Sequence, residues 1–169
     1  MRALKLILGL AAALAVHLVG TRLMPDLPRV LDLFLVVVVL HALDASSLAG
    51  LTGGLGVGLA QDALSGRLYG LHGFADTMVG YAVARAGQRL DLASPGAVLV
   101  TVALATLLQE ATLVVLAYLF TDPEPPEPLW VLVEALVNGV VGALLFSFAG
   151  RLRTFREASR RRRASKIRL

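Results

Sequence analysis

Hydrophobic positions in this chain fall into long blocks rather than into a two- or three-to-four-residue alternation, and the blocks predict helices. The first runs from Leu4 to about Met24 and is broken by Pro25 and Pro28. The second, Val30–Ala42, contains eight consecutive apolar residues, Leu33–Leu40. Valine runs also suit strands, but this one sits between other long apolar blocks, so a helix is expected. Asp44-Ala45-Ser46-Ser47 then supplies a turn and an N-cap. Leu48–Leu64 and Leu71–Ala86 follow, both short against the ~20 residues that cross a bilayer. They suit either two spans or a partly re-entrant hairpin, and two spans are expected. Ala97–Phe120 is the clearest block. The prolines of Thr121–Pro128 forbid a continuous helix there, and Leu129–Gly150 forms the sixth block. The expectation is an all-α integral membrane protein, a bundle of about six transmembrane helices.

Composition agrees. Hydrophobic residues make up 57% and mean hydropathy is +0.75, above the ~45–50% apolar content of soluble domains. Met1–Lys5 gives a basic start like that of a signal peptide, but the small-residue run Ala11–Ala15 lies too deep for a cleavage site, so the first block is expected to be retained. Net charge is +4, yet Arg151–Leu169 alone carries nine Lys/Arg and one Glu. Two parts are therefore expected: a six-helix transmembrane domain over 1–150 and a basic cytoplasmic tail over 151–169. With six spans, Arg2, Lys5, Arg85, Arg89 and the tail share one side, thirteen cations against Arg22, Arg29 and Arg67 on the other. That bias puts both termini in the cytoplasm and the acidic proline loop outside. The tail, with Arg160, Arg161, Arg162 and Arg163 at its centre, suits anionic lipid of the inner leaflet or a cytoplasmic protein. Its only aromatic is Phe155, which argues against stacking on nucleic acid bases.

Candidate chemistry is confined to polar residues at membrane depth: Asp32, Gln61, Asp62, Asp76, Gln109, Glu110, Glu134 and Asn138. A charge at a helix centre costs ~2.5–3.5 kcal/mol on insertion scales, so each needs a partner or water. Gly50, Gly54, Gly58 and Asp62 recur every four residues and share a helix face, as do Asp76, Gly80 and Ala84, and Glu134, Asn138 and Gly142. Small residues at that spacing let backbones approach closely. These seams are expected to serve helix packing or a partner interface, with a transport path as a further option. Asp62 and Asp76 flank the turn Ser65–Gly70 in the outer half, where they would share Arg67 or bond to backbone and Ser65. There is no cysteine, His17, His41 and His72 lack zinc spacing, and no nucleophile elbow or phosphate loop occurs. No enzyme activity, metal or other cofactor is expected. A lipid-carrier enzyme using Asp62 and Asp76 as acids would lack both nucleophile and metal.

The stretch from Gly53 to Arg85 resembles the rod shape-determining protein MreD family: a glycine-rich helix with Gly54 and Gly58 ending in Gln61-Asp62, then Leu64-Ser65-Gly66, Gly70-Leu71-His72, and a helix ending in Gly80-Tyr81. Pro28, Asp32, Leu33 and the run to Leu40 fit the family's second helix. The resemblance implies a non-catalytic subunit of the bacterial cell-elongation complex in the inner membrane. Its implied partners are MreC foremost, with MreB, RodA and a penicillin-binding transpeptidase in the same assembly. Gln61, Ser65, Gly66, Gly70 and His72 are implied to set the conformation of the turn. The family's fold is similar to the substrate-binding S-components of vitamin transporters, so a vitamin-binding subunit is the alternative function.

Overall fold

The computed structural model describes residues 2–65, 69–120 and 127–166, with side chains from 3 to 152 within those ranges. The described residues form six α-helices and one short 3-10 turn, with no strand. They are α1 (Arg2–Leu23), α2 (Leu33–Ala42), α3 (Ser47–Ser65), α4 (Leu71–Gly87), α5 (Pro95–Phe120) and α6 (Pro128–Lys166), with the 3-10 turn Leu27–Arg29 between α1 and α2. Within α1, α5 and α6, the stretches Ala3–Leu23, Pro95–Phe120 and Pro128–Leu152 are long and apolar enough to cross a membrane.

Local chemistry sets the boundaries. Asp32 holds an extended backbone (φ −106°, ψ 94°), and its carboxylate accepts the N–H groups of Phe34 and Leu35, so α2 begins at Leu33 rather than at Val30. Ser46 Oγ accepts the Ala49 N–H at 3.3 Å and opens α3; Ser94 Oγ accepts the Ala97 N–H at 3.2 Å and opens α5, whose first residue is Pro95. No break occurs at Gly150. α6 continues through the arginine- and alanine-rich sequence to Lys166, so the basic segment is a helical extension of the last apolar helix.

The short α2 is the axis of the fold. It touches each of the other five helices, and Phe34, Leu35, Val36, Val38, Val39 and Ala42 are all buried. Ten residues rise about 15 Å, half of a ~30 Å hydrocarbon layer. Around it the polarity of a soluble protein is inverted. Leu104, Leu132, Leu136 and Leu144 are each at least 60% exposed, while Asp62, Asp76, Gln109 and Asn138 are at most 1% exposed. A chain with an apolar exterior and carboxylates in its core is folded for hydrocarbon, not water.

The tightest joint is between α3 and α4, which run antiparallel. A Cβ at Gly50 would collide with Gly80 O, one at Gly54 with Asp76 O, and one at Gly58 with His72 O. Three successive turns of α3 thus lie directly on the α4 backbone. This is the close approach that small residues permit where lipid supplies no hydrophobic drive to associate. On the other side of the bundle, Gly139 and Gly142 of α6 meet Leu99 O and Val102 of α5.

Gly54→Val is expected to wedge α3 from α4 at a cost of about 1–3 kcal/mol or more. Gly56→Ala, where an added Cβ meets nothing within 4 Å, is expected to be neutral or stabilising. Thermal unfolding of the two variants in detergent checks the contrast.

Candidate functional site

Polar side chains from five helical segments converge beside the N-terminus of α2. Asp32 is the hub. Its Oδ1 accepts Phe34 N–H at 2.9 Å and Leu35 N–H at 3.1 Å, capping α2, where the helix dipole also favours a carboxylate. Its Oδ2 accepts Gln61 Nε2 of α3 at 2.9 Å and Gln109 Nε2 of α5 at 3.1 Å. The same Gln109 Nε2 donates to Asp76 Oδ1 of α4 at 2.9 Å, so one amide bridges two carboxylates. The Asp32 backbone N–H donates to Asn138 Oδ1 of α6 at 2.9 Å. Asn138 Nδ2 in turn donates to Thr106 Oγ1 at 3.2 Å and reaches Glu134 Oε1 at 3.5 Å. Thr106 Oγ1–H donates to Val102 O at 3.0 Å, closing the chain on the α5 backbone.

A second polar knot lies at the neighbouring hairpin. Asp62, near the C-terminus of α3, caps the N-terminus of α4 from outside that helix. Its Oδ2 accepts Gly70 N–H and Gly73 N–H, both at 2.9 Å. Its Oδ1 accepts His72 N–H at 3.1 Å and His72 Nδ1–H at 2.8 Å. Three of the orphan donors that every helix start presents are thus satisfied by one buried carboxylate. Gly70 precedes the helix at φ 102°, a left-handed backbone that a side chain would strain. Ser65 Oγ donates to Asp62 O at 3.1 Å and ends α3.

The residues singled out from the sequence therefore divide between two tasks. Gly50, Gly54, Gly58 and Gly80 line the α3–α4 contact, and Asp62, Gly70 and His72 hold the hairpin. Asp76, Gln61, Glu134 and Asn138 belong to the central network. Asp62 and Asp76 do not share a site; each faces a different set of donors. Gly66 and Arg67 lie outside the described residues, as do residues 121–126 of the proline loop and the side chains of Arg160, Arg161, Arg162 and Arg163. Three functions were hidden. Asp32 and Gln109 stand out only as isolated polar residues, and Thr106 not at all, because the contacts joining them span up to 106 residues of sequence. The signal available was spacing: Thr106 and Gln109 lie three apart on α5, as Glu134 and Asn138 lie four apart on α6.

Chemically the network can hold helices in register and offer oxygen ligands, and no nucleophile with an adjacent base is among its members. No group of three His, Cys, Asp or Glu residues with metal-binding geometry occurs among the described residues. Removing the hairpin carboxylate by Asp62→Ala is expected to cost about 2–4 kcal/mol, because three backbone N–H groups and the His72 ring N–H lose their acceptor. His72→Ala, which deletes only the side-chain bond, is expected to cost about 1 kcal/mol. Unfolding midpoints in detergent measure both.

No curated protein and no solved structure is similar enough to count as a match. The model of one protein family, described as rod shape-determining protein MreD, matches residues 3–124, from α1 past the end of α5. That match covers well over half of the chain and takes in the hub, the bridging glutamine and the capped hairpin, and so the protein belongs to the MreD family of rod shape-determining membrane proteins.

Proposed function

We propose that this chain is a non-catalytic integral membrane subunit of the bacterial cell-elongation complex that binds MreC and helps position peptidoglycan synthases. The observation that carries this is the family match, and the distribution of polarity supports it. The conspicuous acids and amides are engaged within the bundle, and the outside is largely apolar. α1 is the least enclosed helix, with only 6% of its apolar stretch buried and Leu4, Ile7 and Leu8 about as exposed as lipid-facing leucines elsewhere. Such a helix suits lateral contact with another membrane protein's span.

In this proposal the chain crosses the cytoplasmic membrane with six helices and keeps both termini inside. α2 completes its crossing together with the residues on either side of it. Cations favour that orientation thirteen to three. The helix arrangement is taken to be of the S-component kind, used to bind proteins rather than vitamins. The basic extension of α6 would lie along the anionic inner leaflet, where each Lys or Arg contributes about 1 kcal/mol. MreB, RodA and a penicillin-binding transpeptidase belong to the same assembly.

Affinity purification of the tagged chain from rod-shaped cells is expected to retain MreC, and depletion is expected to round the cells. A photo-crosslinker at exposed Ile7 or Leu8 is expected to capture a partner span, whereas one at buried Ala13 is not. Depleted cells that keep their width and length, or a reporter fused after Leu169 that is active in the periplasm, would refute the proposal.

A further inference from the structure

The central network is short of positive partners. Asp32 is saturated: its two oxygens accept four N–H groups and lie at a helix N-terminus. Asp76 is not. Its side chain receives one hydrogen bond, on Oδ1 from Gln109, while Oδ2 is fully buried and has no partner among the described residues. Two further buried oxygens share that condition, Gln109 Oε1 and Gln61 Oε1. Asp76 is 0% exposed and Gln109 1%. All three oxygens belong to groups tied to one another through Gln109 Nε2 and Asp32 Oδ2. Every unmet atom in this cluster is thus an acceptor, and a buried acceptor left unmet bears its desolvation cost with nothing to offset it.

The kind of ligand follows from a count. A proton on Asp76 Oδ2 turns that atom into a donor and serves one amide oxygen, leaving the other unmet. A cation, unlike a proton, can be shared by several oxygens, and it offsets carboxylate charge that neutral amide and backbone donors leave uncompensated. With the Asp32 oxygens already filled by donors, Asp76 supplies the one carboxylate oxygen still free to ligate, and one such oxygen with two neutral amide oxygens suits a monovalent ion. Calcium is held by several carboxylates among its about 6–8 oxygens, more than one free carboxylate oxygen supplies, and the donor set has no nitrogen or sulfur for a transition metal.

We propose that Asp76 Oδ2, with the side-chain oxygens of Gln109 and Gln61, binds a single sodium ion in the middle of the bundle, joining α3, α4 and α5. The site is independent of which protein the outer surface contacts, so its test is separate from that of the MreC proposal. Bound there, sodium makes the α3–α4 hairpin and α5 one unit.

The test uses the purified full-length chain in detergent, with thermal unfolding followed in sodium chloride and in choline chloride at equal ionic strength. A ligand that binds only the folded state raises its stability with the logarithm of concentration above the dissociation constant. The midpoint is therefore expected to climb by several degrees with sodium and to stay level with choline. Asp26→Asn, which alters an exposed carboxylate far more accessible than Asp76, is expected to keep the response. Asp76→Asn and, should that variant fail to fold, Gln109→Met are expected to abolish it. Identical midpoints for the wild-type chain in the two salts overturn the proposal. So does a rise on acidification that is the same in both, which would assign the site to a proton. A full sodium response in a folded Asp76→Asn or Gln109→Met protein overturns it equally.

Discussion

A carboxylate in hydrocarbon must find donors inside the protein, and Asp32 is where this chain meets that demand. Its position at the first turn of α2 gives it two backbone N–H groups without any tertiary structure. The other two donors, Gln61 and Gln109, come from helices 29 and 77 residues away. Because the carboxylate is costly to bury without them, α3 and α5 are held at fixed depth and rotation against α2. Asn138 adds α6 through the Asp32 backbone. The arrangement of the bundle is thus specified by polar contacts, while its apolar surfaces, interchangeable with lipid, specify little.

Two ways of joining helices coexist. α3 and α4 meet backbone to backbone along Gly50, Gly54, Gly58 and Gly80, and Asp62 locks the turn between them. α5 and α6 mix backbone and side-chain contact, with Gly139 against the Leu99 carbonyl and Gly142 admitting the Val102 side chain. The first pair is rigid by geometry, since neither backbone can slide without collision. The second tolerates adjustment at Gly142, where the Val102 side chain can change rotamer. A membrane subunit that must hold one face constant while another meets partners has use for both.

Much of this was readable from residue order. The glycine period on α3 marked the helix contact, and Asp62 with Gly70 and His72 marked the hairpin, because both signals are local and repeat at helical spacing. The turn Asp44–Ser47 marks the start of α3, where the Ser46 hydroxyl caps the helix, whereas Ser94, which caps α5 at Pro95, goes unmarked ahead of an expected start at Ala97. α2 was placed three residues too early because apolar Val30 and Leu31 hid the cap at Asp32, and the helical run beyond Gly150 was obscured by its change from apolar to basic. The meeting of Asp32, Gln109, Thr106 and Asn138 leaves no local trace beyond helical spacing within α5 and within α6. Each residue alone looks like any polar interruption of a span, and only the folded bundle shows which donor faces which acceptor.

The enclosed position of α2 has a consequence for biogenesis. This ten-residue helix leaves the ribosome before α3, α4 and α5, yet its surroundings are completed by α6, which follows them and supplies Asn138 to the backbone of Asp32 across 106 residues. Until then the capped end of α2 has no finished cavity to occupy. Final assembly must therefore wait until α6 has been made, and a nascent chain stalled before α6 would present an unsheltered acid to the insertion machinery and to any protease patrolling the bilayer.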